Sequence, residues 1–119
     1  MSHRCLDRIA AADPNLEQAP EVLLSGTRQD QHHAERRCQQ RGISLTKIRI
    51  ALAYGRHDVH HHLERWTLAA RDLKQSPYSR FEHDLNGLQL IGRSLDPEED
   101  GTAIVAIKTC KWNYRLRRH

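Results

Sequence analysis

The hydrophobic pattern of this chain changes its period once, at Gly55, and this change constrains the fold more than any other feature. Before Gly55, apolar residues recur at the spacing of one helix face, at Leu45, Ile48, Ala51 and Leu52. After it, apolar and polar residues alternate, as they do in half-buried strands. Helices followed by a run of strands predict an α+β fold, with the helices packed on an antiparallel sheet.

Two helices are predicted before Gly55. Gly42 stands where a left-handed residue would end a first helix over residues 31–41. Ser44 is placed to cap the second helix, which begins directly after it, and Ile43 and Ile48 occupy the positions of a hydrophobic staple. The short connection predicts a two-helix hairpin.

About four strands are predicted after Gly55. Two of them flank residues 63–65, and two more, over 88–93 and 102–110, flank a turn at 96–101 that is rich in acids, proline and glycine. Residues 103–107 form a continuous apolar run, which is typical of a strand covered on both faces. We therefore expect this run to form the central strand of the sheet.

The length of 119 residues suits one domain. Residues 1–28 combine two Pro sites and a Ser-Gly pair with a few aliphatic residues, so they are expected to form a partly irregular N-terminal arm. Residues 29–119 are expected to form a single α+β domain. No window approaches the roughly 20 apolar residues of a membrane span, and no apolar signal segment is evident, so we expect a cytoplasmic protein without a membrane partner.

The charge distribution is asymmetric. The chain has 19 basic and 15 acidic residues, and 15 of the basic residues are arginine. Residues 1–27 carry a net charge of −2, so the rest of the chain carries +6. Arginine suits bidentate phosphate contacts, which makes nucleic acid the first partner to consider, although net charge serves solubility as well.

Three widely spaced cysteines, Cys5, Cys38 and Cys110, favour neither a disulfide framework nor a zinc knuckle. Reduced thiols are therefore expected. The sequence contains no glycine-rich phosphate loop, His-Glu-x-x-His motif or Gly-x-Ser-x-Gly motif, so no cofactor is predicted and most familiar enzyme classes lack support.

His33, Arg37 and Arg41 lie four residues apart on the first predicted helix and share one face. This stripe suits contact with a phosphate or a base. One alternative interpretation is a solvated helix face on which Glu35 supplies a counter-charge. The other is a structural stripe, in which the arginines donate hydrogen bonds to strand or loop carbonyls and lock the helix hairpin to the sheet.

The histidines at positions 57, 60, 61 and 62 are the second candidate feature. On a strand, His60 and His62 point to one face and His61 to the other, which leaves no set of three metal ligands among these neighbours. No metal site is therefore predicted. Acid/base chemistry near the arginines is the functional interpretation, and a surface strand face is the alternative.

The C-terminal segment interleaves the aromatic residues Trp112 and Tyr114 with five cations, namely Lys108, Lys111, Arg115, Arg117 and Arg118. Bases stack on aromatic rings while cations neutralise phosphates, so this pattern suits single-stranded nucleic acid. In the alternative interpretation, the rings anchor an edge strand and the arginines only solubilise it.

The segments 33–37, 41–44 and 51–55 read HAERR, RGIS and ALAYG. Their order and spacing resemble the opening of a prokaryotic family, domain-of-unknown-function family 4258, and the order of predicted elements agrees over about residues 30–118. The resemblance marks His33, Arg37, Arg41 and Gly42 without assigning a catalytic role to any of them.

That family is grouped with the RelE/ParE-like toxins, so the resemblance implies two helices packed on a four-stranded antiparallel sheet. Some of these toxins are ribosome-dependent mRNA endonucleases that need no metal. The leading hypothesis is a toxin-like RNA-binding module of a prokaryotic toxin–antitoxin type, with RNA or ribosome-bound mRNA and an acidic antitoxin as partners. The alternative is a non-catalytic module on the same fold that associates with nucleic acid or protein.

The candidate residues follow from these patterns. The candidates for proton transfer are His33, Arg37, His60, His62 and Tyr114. The candidates for nucleic-acid binding are Arg36, Arg41, Lys108, Lys111, Trp112, Arg115, Arg117 and Arg118.

Overall fold

A computed structural model of the chain describes residues 3–24 and 36–117. Its helices are α1 (His3–Ala11), α2 (Pro14–Glu17), α3 (described over residues 36–40), α4 (Leu45–Tyr54), α5 (Ala70–Lys74), α6 (Glu82–Leu85) and α7 (Tyr114–Arg117). Its strands are β1 (Glu21–Leu24), β2 (Arg56–His60), β3 (Leu63–Thr67), β4 (Leu88–Leu95) and β5 (Ile104–Trp112). A short 3-10 helix, Ser79–Phe81, precedes α6.

The strands form one mixed sheet in the order β1-β5-β4-β3-β2. The α+β class is confirmed, but the sheet has five strands, whereas four antiparallel strands were expected. The added strand is β1, which pairs parallel to β5 with Val22 opposite Val105 and Leu24 opposite Ile107. The apolar run of β5 therefore lies inside the sheet, as predicted, although β4 is the central strand.

The connection between α3 and α4 confirms the predicted caps. Gly42 has a φ of +73°, and the Ile43 N–H donates to the Cys38 carbonyl at 2.7 Å, which closes α3 with a Schellman turn. The Ser44 hydroxyl accepts from the Lys47 N–H and caps α4. These bonds fix where α3 ends relative to the sheet.

The first hairpin turns at a different place from the one expected. His61 and His62 form the two-residue turn between β2 and β3, with φ values of 50° and 68°. Two positive φ values match the twist of a tight hairpin, and histidine tolerates the left-handed region better than most residues. The predicted turn at residues 63–65 is therefore wrong, because these residues belong to β3.

The core lies between the sheet and the helices. Trp66, Leu90 and Cys110 are paired across β3, β4 and β5 and are buried on one face. The N-terminal segment contributes four further core residues, Leu6, Ala10, Leu16 and Leu24. Residues 3–24 thus contain two helices, a strand and part of the core, and are more ordered than their composition predicts.

Candidate nucleic-acid interface

The C-terminal half of β5 has a strand on only one side. β4 pairs with β5 as far as Trp112, whereas β1 pairs only with Ile104–Ile107. The end of α3 approaches the other edge, where Arg41 Nη1 donates to the Cys110 carbonyl at 2.7 Å. Trp112 Nε1 in turn donates to the Arg41 carbonyl at 2.7 Å. This reciprocal pair of hydrogen bonds joins the helix terminus to the strand.

An open groove of about 680 Å³ lies at this junction, and we call it the Trp112 groove. It combines three cations, two aromatic rings and a single carboxylate. Its lining residues are Gln40, Arg41, Gly42, Lys47, Asp84, Lys111, Trp112 and Tyr114. The lining is therefore cationic and aromatic, which is the combination that the tail sequence predicted for nucleic acid.

Lys47 places a buried charge in the wall of the groove. Its side chain is only 6% exposed, although it belongs to the first turn of α4. Its Nζ donates to the Gly42 carbonyl at 2.8 Å and lies 5.8 Å from the centroid of the Trp112 ring. This distance is within the range of a cation–π contact. Two contacts thus hold the Trp112 indole: the indole N–H donates to the Arg41 carbonyl, and the Lys47 ammonium group lies against the indole ring.

Tyr114 is the exposed ring of the groove, with 67% of its surface accessible, whereas the Trp112 side chain is half-buried. The alternation of the tail does not continue as a strand, because β5 ends at Trp112 and α7 follows. The Asn113 N–H donates to the Gly87 carbonyl at 2.6 Å, and Asn113 Oδ1 accepts from the Arg115 N–H at 3.1 Å. These bonds turn the chain so that both rings face the same groove.

Four of the predicted binding or proton-transfer residues converge in the groove: Arg41, Lys111, Trp112 and Tyr114. Arg36 and Arg37 are exposed on α3, with Arg37 one helical turn before Arg41. Arg115 is exposed on α7. His33 and Arg118 lie outside the described residues, and for Arg117 the structure describes the backbone only.

Lys108 lies farther along β5 at a β-bulge. Ile91 pairs with Thr109 and Gly92 pairs with Ile107, so the register skips Lys108. Its side chain is exposed, about 10 Å along the strand from Lys111. Lys108 is therefore a separate surface cation and does not line the groove.

His60 and His62 lie at the opposite end of the sheet from the groove. The pairing of β2 through β5 puts Arg56 level with Lys111, and His60 lies four residues farther along β2. This separation is about 13 Å along the strand and about 14 Å across the sheet. Both histidines are exposed at the hairpin turn. The structure therefore does not bring them to the arginines with which they were expected to act.

Sequence reasoning missed Lys47 and Asp84. Lys47 follows a helix cap, where a lysine is ordinarily exposed, and its burial depends on Trp112, which lies 65 residues later. Asp84 lies on the short helix α6. No local pattern signals that either side chain faces the groove.

Arg41, Lys47 and the nearby Cys110 thiol are held in structural contacts. The hydrogen bond to Cys38, together with burial, raises the pKa of the Cys110 thiol. Cys110 is therefore protonated beneath the groove.

Within residues 3–24 and 36–117, no three histidine, cysteine or acidic side chains are grouped as metal ligands. In the same residues, no helix is both long and apolar enough to span a membrane.

No protein-family model matches this chain, and neither a search of curated proteins nor a search of solved structures finds a match. The resemblance to family 4258 therefore rests on the motif residues alone, and the RelE/ParE-like fold stays a prediction.

Proposed function

We propose that the chain binds single-stranded RNA in the Trp112 groove. The observation that carries this proposal is the convergence of two aromatic rings with Arg41, Lys47 and Lys111 on one open surface. Proteins that bind single strands combine stacking platforms with a cationic path for the backbone. The groove has both parts within one cavity.

Each part of the groove has a chemical role in this proposal. The exposed ring of Tyr114 stacks on one base, and the fixed indole of Trp112 supports its neighbour. Arg41 and Lys111 neutralise phosphates at the rim. The buried ammonium group of Lys47 raises the local positive potential, which low-dielectric surroundings strengthen. Asp84 is available to accept a hydrogen bond from a base amino group.

Binding without cleavage is the activity that the groove supports best. Tyr114 is the one predicted proton-transfer residue that lines the groove among the residues described, because His60 and His62 lie far away. A metal-independent endoribonuclease of the toxin type is the second candidate. The position of Tyr114 favours it, since a phenol can take part in proton transfer. An acidic antitoxin belongs to this second candidate.

We expect Tyr114→Ala to weaken RNA binding about 5- to 100-fold, the loss of one stacked base. Lys111→Ala should weaken binding and lower the slope of log K against log salt by about 0.7, because one phosphate contact is lost. Fluorescence anisotropy of a labelled oligouridine, titrated at several salt concentrations, measures both effects.

Lys74→Ala is the matched control for Lys111→Ala, because Lys74 is an exposed lysine on α5 that does not line the groove. Equal losses in the two variants, or a binding constant that does not change with salt, would contradict the proposal. Tyr114→Phe should keep the affinity, since it keeps the ring.

The same Tyr114→Phe variant separates binding from cleavage. If the chain is a toxin-like endonuclease, induced expression should stall growth and Tyr114→Phe should relieve the stall while RNA binding persists. Normal growth at high expression, together with intact RNA after incubation with ribosomes, would reject the second candidate and leave the binding module.

A further inference from the structure

Cys38 and Cys110 form a pair of buried thiols in the hydrophobic core. Their residues are 7% and 4% exposed, and their side chains are hydrogen-bonded to each other. Cys38 lies on α3 and Cys110 on β5, two of the elements that line the Trp112 groove. No local pattern pairs them, since 71 residues lie between them in the chain.

The backbones around the two thiols are held close together. Arg41, one helical turn after Cys38, donates to the carbonyl of Cys110 at 2.7 Å. The Cys38 carbonyl is fixed by the Ile43 N–H in the turn that ends α3. A disulfide needs side chains in near contact on backbones about 4.4–6.8 Å apart. The hydrogen bond between the two thiols meets the first of these requirements.

We propose that Cys38 and Cys110 are a peroxide-oxidisable pair that closes to an intramolecular disulfide and cross-links α3 to β5. The pair is a modification site, and its substrate is a small peroxide. It does not depend on the ligand of the groove.

Cys38 is the thiol that a peroxide reaches. It lines an apolar pocket of about 120 Å³ together with Leu24, Ile43 and Ile48, whereas Cys110 does not. A water molecule occupies about 30 Å³ of liquid, so the pocket has room for hydrogen peroxide. Cys110 does not line this pocket and therefore reacts second, with the sulfur of Cys38.

The reaction balances with hydrogen peroxide as the only oxidant. The Cys38 sulfur attacks one peroxide oxygen, an S–O bond forms, the O–O bond breaks, and the departing hydroxide takes the Cys38 proton as water. The Cys110 sulfur then attacks the Cys38 sulfenic acid, an S–S bond forms and the S–O bond breaks. The hydroxyl group leaves with the Cys110 proton as a second water. Two thiols lose two electrons and the peroxide gains them.

The cross-link would fix both walls of the groove, because Arg41 and Trp112 lie three and two residues from the linked sulfurs. It also closes a long loop, which restricts the unfolded chain. We therefore expect oxidation to raise the Tm by on the order of 10 °C.

The test uses the full chain with Cys5→Ser, which removes the exposed cysteine of α1 and leaves only the buried pair. After hydrogen peroxide, intact-mass spectrometry should show the loss of two hydrogen atoms, and digestion should yield a peptide that links Cys38 to Cys110. Dithiothreitol should restore the mass and the original Tm. Diamide, which oxidises a pair of thiols to a disulfide without forming a sulfenic acid intermediate, should give the same cross-link.

A second variant tests the order of reaction. In Cys5→Ser/Cys110→Ser, Cys38 has no partner and should be trapped by a sulfenic-acid reagent such as dimedone. An unlabelled Cys38 would overturn its assigned role. The pair itself is overturned if either sulfur of the Cys5→Ser protein gains oxygen without a cross-link. It is also overturned if both thiols are still alkylated in denaturant after peroxide and after diamide.

Discussion

Arg41 contributes to both stability and the groove, and its contact with a strand carbonyl is the structural role expected for the stripe. Its guanidinium donates to the Cys110 carbonyl, and Cys110 is only 4% exposed. The stripe was expected to contact nucleic acid, to be a solvated face, or to lock the helix to the sheet through hydrogen bonds to strand carbonyls. Arg41 combines a structural contact with an exposed position. Its hydrogen bond to Cys110 uses Nη1, and the other guanidinium nitrogens are left at the rim of the Trp112 groove.

We expect Arg41→Ala to lower the free energy of unfolding by about 1–3 kcal/mol, because a buried carbonyl loses its partner. Arg37→Ala, one turn earlier on the same helix, should change it by no more than about 0.5 kcal/mol, as is usual for exposed sites. Urea unfolding of the two variants measures the difference. Equal stabilities would show that the Cys110 carbonyl does not depend on Arg41.

Asp13 is a buried carboxylate that holds the N-terminal segment to the body of the fold. Its Oδ2 accepts from the Tyr54 hydroxyl at 2.7 Å and from the Tyr78 hydroxyl at 2.9 Å. Burial alone would raise the pKa of Asp13, but these hydrogen bonds and that from the Asn15 N–H outweigh it and lower the pKa. Burial and the bond to Asp13 raise the pKa of Tyr78.

The signs of these two shifts define a pH window. A lowered carboxyl pKa adds stability above the unfolded value of about 4, and this stability is lost as the pH falls through the folded-state pKa. A raised tyrosine pKa adds stability below about pH 10, which is lost as the pH rises through the folded-state pKa. The contribution of this network should therefore be complete between about pH 4 and pH 10.

We expect Asp13→Asn to cost about 1–3 kcal/mol at pH 7, because its amide would face a donor that the carboxylate satisfied. The difference from the unchanged protein should shrink as the pH falls below about 4 toward the lowered folded-state pKa of Asp13. Urea unfolding from pH 3 to pH 7 measures this, with Asp7→Asn on exposed α1 as the control. A pH-independent difference would contradict the assignment.

At the scale of the elements, the β2–β3 hairpin shows how a turn can escape a sequence pattern. The alternation of Val59, His61 and Leu63 fits a continuous strand, yet the chain reverses at His61 and His62. The pairing of β2 with β3 decides the matter, because Arg56 pairs with Thr67 and His60 with Leu63, which leaves His61 and His62 as the turn. The turn therefore lies at His61 and His62, before residues 63–65, where it was expected.

We expect His61→Asn combined with His62→Gly to stabilise the protein by about 0.5–1 kcal/mol, because both positions have positive φ and Asn-Gly is the preferred pair in such turns. Thermal melts measure the gain. RNA affinity should not change, since the turn is far from the Trp112 groove. A loss of affinity would instead support the acid/base or binding role predicted for these histidines.

At the scale of the whole molecule, the N-terminal segment belongs to the folded core. β1 covers the edge of β5 over Ile104–Ile107, and Leu16 on α2 is 1% exposed. Polar contacts add to this packing. The Arg49 guanidinium of α4 donates to the Leu16 carbonyl at 3.1 Å, and Asp13 accepts from Tyr54 of α4 and from Tyr78. Residues 3–24 are thus joined to the body by a strand, apolar packing and hydrogen bonds together.

We expect Leu16→Ala to cost about 2–5 kcal/mol, the range for a buried leucine. Leu95→Ala is the matched control, because Leu95 lies at the exposed end of β4 with 39% of its surface accessible. The control should change the free energy of unfolding by no more than about 0.5 kcal/mol. Similar values in denaturant titrations of both variants would mean that the N-terminal segment is a dispensable arm.

Much of the candidate site could be predicted from the sequence, because its exposed members form local patterns. Arg41 follows from helical spacing, and Lys111, Trp112 and Tyr114 follow from the interleaved tail. Lys47 could not be predicted, since its burial depends on an indole from the other end of the chain. His60 and His62 were grouped with the arginines by chemistry, and only the sheet register shows how far apart they lie.

The sequence by itself determined the features that depend on neighbouring residues. Gly42 and Ser44 define the ends of two helices because caps satisfy backbone groups within a few positions. The strands β4 and β5 are evident from alternation and an apolar run around a turn. The tertiary structure alone decided that β1 joins β5, that α3 meets Cys110 and that the rings of the tail share a groove with Lys47. These contacts join residues far apart in the chain, and their free energy comes from burial and register, which no local pattern encodes.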